Sequence, residues 1–216
     1  HSPAQEKLLL NLLEETTRLV TITEELLLLS RADAGKLQLE TTPLDLSLLL
    51  GDMIEDVEIL AERRSIEIHT EIPPDVRAQA NDQFLRQLLL NLFENAIKYN
   101  HAGGRLRVRV IPGVVSHEFA IANTGPGLTA EQAGRVFNRF YRADAARDHG
   151  IGGHGLGLSI CREIARALSG EISVRTDETG WTEFRVTLPV ARGDATREDR
   201  APLVIPKMSS LSSAPL

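Results

Sequence analysis

The chain has 216 residues, of which 42% are hydrophobic and 25% charged, and its formal net charge is −6. This length allows one domain of roughly 100 to 150 residues and a smaller element. The negative charge argues against a broad nucleic-acid surface, and the single cysteine, Cys161, excludes an internal disulfide and a cysteine-based metal cluster. No run approaches the roughly 18 apolar residues of a membrane span and no signal peptide is visible, so we expect a soluble, cytoplasmic piece of a longer protein.

The first predicted element is a long helix. From Leu8 to Leu29 apolar residues recur in alternating steps of four and three, with Glu15 as the one interruption. This spacing is typical of a coiled-coil seam, and additional leucines widen the apolar face as in a helix bundle. We therefore expect a homodimer through this helix, with an ordinary helix packed on its own domain as the alternative. Gly35 and Pro43 separate it from the rest of the chain.

The central part of the chain alternates between helical and strand patterns. Asp45 is a plausible N-cap for a helix with apolar positions from Leu46 to Leu60. The predicted elements that follow are a strand at 65–72 ended by Pro73-Pro74, a helix at 82–99, and strands at 105–111 and 114–122. A turn-rich segment then runs from Asn123 to Gly157.

The last predicted elements are a helix at 158–170, closed by Gly170, and two strands around a turn near Gly180. Strands on one side and three helices for the other predict an α+β two-layer sandwich. We divide the chain into residues 1–36 as a helical segment, 37–190 as the main domain and 191–216 as a disordered tail.

The helix sequence "NLFENAIKYN" carries an unusual polar stripe. Asn91, Asn95 and Lys98 follow one another at i, i+4 and i+7, on one side of a helix that is otherwise apolar. Asparagine is a poor helix former, so two of them one turn apart call for an explanation. A solvated face is one; an amide ligand for Mg²⁺ beside a lysine that reaches phosphate is the other.

The sequence "GIGGHGLGL" places five glycines directly before a helix. Glycines let backbone N–H groups approach an anion, and a helix N-terminus offers unpaired donors, so this pattern indicates phosphate binding. It is neither a Rossmann turn nor a P-loop, and a flexible connector would look similar. A metal site at the flanking His149 and His154 is a weaker alternative.

The sequence "VFNRFYRAD" combines aromatic and basic residues. Phe137 and Phe140 have the spacing of core aromatics, and Arg139 and Arg142 beside them could reach phosphate or face water.

Taken in order, "NLFENAIKY", "NTGPGL", "VFNRFYRAD" and "GGHGLGL" resemble the N, G1, F and G2 boxes of the ATP-binding domain of sensor histidine kinases. The resemblance covers about residues 43–189, and "LLLLSRADAGKLQLETTPLDL" upstream is similar to the end of the dimerisation hairpin. The same ATP-binding fold occurs in gyrases, Hsp90-type chaperones and MutL-type repair proteins.

The resemblance implies a site for ATP and Mg²⁺. Its members are Asn91, Asn95, Lys98, Tyr99, Asn123, Gly125, Gly127, Arg139, Arg142, Gly153, Gly155, Leu156 and Gly157. It implies that Asn95 binds Mg²⁺, Lys98 meets phosphate and Tyr99 borders the base, with a mobile lid from Phe137 to Gly152. Related ATPases have a water-activating glutamate where this chain has Asn91, which favours phosphoryl transfer to a protein side chain over hydrolysis.

Two positions depart from the family pattern. The family normally has an aspartate at the position of Asn123, where it accepts a hydrogen bond from the adenine amino group. An amide keeps an acceptor oxygen but loses the charge, which predicts roughly tenfold weaker binding. Asn138 stands where the family usually has a glutamate. A non-catalytic regulatory module with a degenerate nucleotide site therefore remains the alternative, and an ATPase of the gyrase or MutL type is a third.

The family's phosphoacceptor histidine has no match among the six histidines. His1 lies too close to the predicted helix, and His69, His101, His117, His149 and His154 fall in strands, turns or the lid. We predict that the chain does not phosphorylate itself. The resemblance further implies a response regulator as partner and a parent protein in the inner membrane.

Overall fold

The fold is described from a computed structural model, which covers residues 3–143 and 154–191. The predicted tail, apart from Ala191, and Gly153 and His149 lie outside the described residues. In chain order the elements are α1 (Pro3–Asp33), β1 (Thr42–Asp45), α2 (Leu46–Glu62), β2 (Glu67–Glu71), β3 (Arg77–Ala80), α3 (Asp82–Lys98), β4 (Arg105–Ile111), β5 (Ser116–Thr124), α4 (Ala130–Arg135), α5 (Gly157–Ala167), β6 (Glu171–Thr176) and β7 (Trp181–Pro189).

A five-stranded sheet forms one layer of the main domain, with strand order β2-β4-β5-β7-β6. β2 and β4 are parallel, and the other neighbours are antiparallel. In β4, Leu106, Val108 and Val110 are buried while the residues between them are not, so one face of the sheet packs against α2, α3 and α5. The α+β two-layer sandwich is confirmed.

Both long helices of this layer begin at side-chain caps. Asp45 accepts a hydrogen bond from the backbone N–H of Leu48 at 3.0 Å, as predicted, and Asn81 does the same for Phe84 at 3.2 Å. The apolar positions of α2 and α3 are buried in the core, which fixes the rotation of each helix about its axis. The polar stripe of α3 therefore has a defined direction.

Three local features differ from the sequence pattern. The two-stranded sheet of β1 and β3 and the short α4 are not predicted, because four to six residues carry too little periodicity. α5 ends at Ala167, and the left-handed residue after it is Ser169 (φ 60°) rather than Gly170. Gly170 has a different role, since a Cβ there would lie 1.9 Å from the carbonyl oxygen of Thr187.

Helix α1 contains two surfaces of different character. Near its end Leu28 and Leu29 are buried in the core of the main domain, and Ile22 packs against the same core. Towards the start of the helix a set of leucines is exposed: Leu8, Leu9, Leu10, Leu12, Leu13 and Leu19. The helix is thus packed on its own domain at one end and presents an uncovered apolar face at the other. None of the helices in the described ranges is both long and apolar enough to cross a membrane.

Candidate nucleotide site

A cavity of about 320 Å³ lies between α3, the segment after β5 and the start of α5. Its volume falls in the range of small-molecule sites. Most of the predicted residues line it: Asn91, Asn95, Lys98, Tyr99, Asn123, Gly127, Arg142, Gly155, Leu156 and Gly157. Four separate stretches of sequence therefore meet at one space.

Asn123 lies near the end of β5 and is 4% exposed. Its Nδ2 donates to the carbonyl oxygen of Thr124 at 2.9 Å. Because a carbonyl oxygen only accepts, this contact fixes the orientation of the amide and leaves Oδ1 as the atom that can accept from a ligand. One of the two N–H donors that distinguish an amide from a carboxylate is thus used within the protein.

The turn after Asn123 brings backbone close to the end of α3. A Cβ on Gly125 would lie 2.4 Å from the carbonyl oxygen of Tyr99, so no larger residue fits without movement. Gly125 itself is not among the lining residues, but it allows the turn to pass under Tyr99. Gly127 has φ 74°, a conformation that favours glycine, and it lines the cavity.

The polar stripe of α3 faces the cavity and the start of α5. The thiol of Cys161 in α5 donates to the carbonyl oxygen of Leu88 in α3 at 3.6 Å, and burial raises the pKa of that thiol while the side chain of Asn91 acts to lower it. A Cβ on Gly157 would lie 3.1 Å from Asn91 Oδ1, so the two helices approach closely here. Lys98 Nζ lies 5.0 Å from the centre of the Tyr99 ring.

The start of α5 has free capacity for an anion. Leu156 occupies the N-cap position but makes no side-chain capping bond, and the first turn contains no acidic residue. The first N–H groups of a helix have no partner within the helix and lie at its positive end. Gly155, with φ 71°, leads into this turn. Gly155 and Leu156 both line the cavity.

The two arginines of the F-box segment have different surroundings, and only one of them lines the cavity. Arg142 lines the cavity. Arg139 instead donates through both terminal nitrogens to the carboxylate of Asp33 in α1, at 2.6 and 2.8 Å, and this bond holds the pKa of Asp33 below its usual range. Phe137 packs edge-on against Phe184 with ring centres 6.3 Å apart, whereas Phe140 is 63% exposed.

Helix α1 adds a residue to the cavity that the sequence analysis missed. Glu25 lines it together with Glu94 of α3, and desolvation, then repulsion by Glu94, raises the pKa of Glu25. Desolvation also raises the pKa of Glu94, and the charge of Lys98 opposes this. A carboxylate three residues before the buried Leu28, on the same helix face, was the signal available in the sequence.

Other lining residues were missed because pairing between distant strands brings them in. Thr182 of β7 lies opposite Asn123 of β5 in the sheet, and both line the cavity. His154, considered above as a metal ligand, accepts a hydrogen bond from Arg18 Nε of α1 at 3.1 Å. Within residues 3–143 and 154–191, no group of three metal-ligating His, Cys, Asp or Glu side chains occurs.

Comparison with known proteins identifies the family. Residues 80–192 match the family model of histidine kinase-, DNA gyrase B- and HSP90-like ATPases. The adaptive-response sensory kinase SasA of Thermosynechococcus vestitus is 34% identical over 178 residues, which are 82% of this chain and 46% of that protein. This chain thus spans about half the length of the curated relatives it matches.

Two solved structures extend the likeness to the fold. Full-length ShkA in complex with AMPPNP has a TM-score of 0.75 at 27% identity, covering 88% of this chain and 40% of that one. The catalytic domain of histidine kinase ThkA has a TM-score of 0.63 at 25% identity, covering 70% of this chain and 97% of that one. The chain belongs to the histidine kinase-, gyrase B- and HSP90-like ATPases, and within them it carries the ATP-binding catalytic domain of sensor histidine kinases.

Proposed function

We propose that this chain binds ATP in the cavity and transfers the γ-phosphoryl group to a protein histidine. The observation that carries the proposal is the convergence of the Asn123 acceptor oxygen, the α3 stripe and the uncapped start of α5 on one cavity. An acceptor at one end and unpaired N–H groups with a lysine at the other match the two ends of an adenine nucleotide.

In this proposal Asn123 Oδ1 accepts from the adenine amino group and Tyr99 borders the base. Lys98, Arg142 and the first N–H groups of α5 bind the phosphates. Arg139 reaches them only after it leaves Asp33. Gly153, which lies outside the described residues, is proposed to act with Gly155 in the closing lid.

Mg²⁺ fits the donors of this cavity. Asn95 offers an amide oxygen, Asn91 lies one turn earlier, and hard cations prefer oxygen ligands of this kind. Mg²⁺ usually keeps several waters and binds through substrate phosphates, so a single protein oxygen is a suitable contribution. When bound, the ion neutralises charge on the transferred group.

The acceptor is proposed to be a side chain because Asn91 cannot take a proton from water. The further steps, to a response regulator, and the membrane location of the parent protein are proposals that rest on the sensor-kinase relatives. Dimerisation through α1 is proposed from the exposed leucines of that helix.

Labelled ATP tests the transfer. We expect the chain alone to gain no acid-labile label, and a separately supplied sensor-kinase dimerisation hairpin with its phosphoacceptor histidine to gain it. Asn95→Ala is expected to lower the rate at least about tenfold, and Gln83→Ala, at an exposed amide on the same helix outside the cavity, serves as control. Steady release of free phosphate without labelled histidine would contradict the proposal and favour an ATPase.

A non-catalytic regulatory module is the second candidate, and the departures at Asn123 and Asn138 favour it. Such a module would hold a protein partner without nucleotide. Nucleotide binding separates the two candidates, because only the kinase requires it.

A further inference from the structure

We infer that Arg64 is a positioning residue for the nucleotide cavity, an inference that rests on the proposed function. Arg64 follows α2 in the connection to β2 and does not line the cavity. Its guanidinium donates to three backbone carbonyl oxygens at and beyond the end of α3: that of Ile97, that of Lys98 at 3.1 Å and that of Asn100 at 3.0 Å.

These contacts provide hydrogen-bond donors for carbonyl groups at the end of α3. The last carbonyls of a helix have no partner within the helix and lie at its negative end, where a cation is favourable. The planar guanidinium presents several donors in a fixed geometry, so one side chain can bind three carbonyls. Of the three residues bound in this way Lys98 lines the cavity, and Tyr99, which also lines it, lies between the bound residues Lys98 and Asn100.

The backbone of Arg64 holds the same segment from a second direction. Its carbonyl oxygen accepts from the N–H of Gly103 at 3.1 Å. The loop between α3 and β4 is therefore bound to Arg64 through both side chain and main chain. Displacement of this side chain would release the carbonyls at the end of α3, while the main-chain bond to Gly103 would remain.

A hydrogen-bond network leads from this loop to the adenine acceptor. Asn100 is buried; its Nδ2 donates to the Arg105 carbonyl at 3.0 Å, and its Oδ1 accepts from Thr124 Oγ1 at 2.7 Å. Thr124 in turn accepts from Asn123 Nδ2 through its carbonyl oxygen. Arg64 thus connects to both Tyr99 and Asn123, which flank the proposed base site.

The test is calorimetric titration of Arg64→Gln, Arg64→Lys and the control Arg86→Gln with ADP and with adenosine. The titrations are made at a temperature where thermal unfolding shows each protein folded. Arg86 is a matched control, since it lies on α3 near its start and pairs with Asp82. We expect Arg64→Gln to lower the affinity for ADP and for adenosine by the same factor, about tenfold. Lysine keeps the charge but not the three-way geometry, so Arg64→Lys is expected to fall between Arg64→Gln and the unchanged chain.

Several results would overturn the inference. If the unchanged chain binds ADP and Arg64→Gln binds it equally well when folded, Arg64 only stabilises the fold. The same conclusion follows if Arg86→Gln weakens binding as much. If Arg64→Gln does not fold, Arg64→Lys decides, and unchanged affinity in that variant would overturn the role. Absence of ADP binding by the unchanged chain would overturn the proposed function and this role with it.

Discussion

Asn123 shows how a single neighbouring carbonyl defines what an amide can do. One N–H of its amide donates to Thr124, and this bond orients Oδ1 as the acceptor for a ligand, where a carboxylate would present an oxygen as well. The charge is still missing, and hydrogen bonds to charged groups are stronger than neutral ones. The sequence predicts this weaker acceptor; the bond to Thr124, which occupies one of the two N–H donors, is visible only in the structure.

Asn123→Asp is expected to tighten nucleotide binding and destabilise the free protein. The variant loses the bond to Thr124 and faces that carbonyl with a buried carboxylate oxygen, an arrangement that costs about 1 to 3 kcal/mol. A bound adenine amino group would satisfy the carboxylate, so affinity should rise roughly tenfold.

Displacement of a fluorescent nucleotide and thermal unfolding measure the two effects of Asn123→Asp separately. Weaker binding in a folded variant would show that Oδ1 is not the adenine acceptor.

At the scale of elements, α1 lies against the cavity and brings an acidic residue to it. The contacts of Asp33 with Arg139 and of Arg18 with His154 hold the helix there, together with buried Leu28 and Leu29. Glu25 has the opposite effect, because its carboxylate is desolvated and lies near Glu94. A triphosphate in the cavity would add to that repulsion. With a nucleotide bound as proposed, docking of α1 and nucleotide binding would oppose each other through Glu25.

Glu25→Gln is expected to raise the unfolding temperature at neutral pH by roughly 2 °C, with little effect near pH 4. The pKa of Glu25 is raised in the folded state from its ordinary value of 4.5. A raised pKa means that the folded state holds its proton more tightly, so this stability is present below the ordinary value and is lost as pH rises through the raised one.

Thermal unfolding across this pH range tests the effect, with the exposed neighbour Glu24→Gln as control. An equal shift for both variants, or one that grows at low pH, would contradict it.

Leu19→Glu is expected to convert a dimer to a monomer. Leu19 is 63% exposed on the uncovered face of α1, and a charge there would oppose burial against a second copy. Light scattering over a concentration series measures the mass, and Leu48→Glu, an exposed leucine of α2, is the control. A chain that is monomeric at high concentration, and unaffected by the substitution, would rule out dimerisation through α1.

For the whole molecule, the sequence predicts whatever depends on local pattern. The periodicity of α2, α3 and α5, the alternation in β4 and the cap at Asp45 all carry their own signals. It does not predict what depends on distant pairing. The small sheet joins residues near 43 and 79, Arg139 finds its partner 106 positions away, and Thr182 reaches the cavity through its register with Asn123.

The same division holds for the site. Box motifs locate Asn91, Asn95, Lys98 and Leu156 because neighbours in sequence define them, and these residues do meet at one cavity. Arg64 and Glu25 have no motif; their positions follow from how α2 and α1 pack. Glu25 lines the site and Arg64 supports it from outside, and contacts between elements identify both.

Calorimetric titration with a non-hydrolysable ATP analogue and Mg²⁺ tests the central claim most directly. The account predicts binding, roughly micromolar to submillimolar, that Asn95→Ala weakens in the presence of Mg²⁺ and Gln83→Ala does not. No binding by either the unchanged chain or Asn123→Asp, with both folded, would contradict the claim that this cavity is a working nucleotide site.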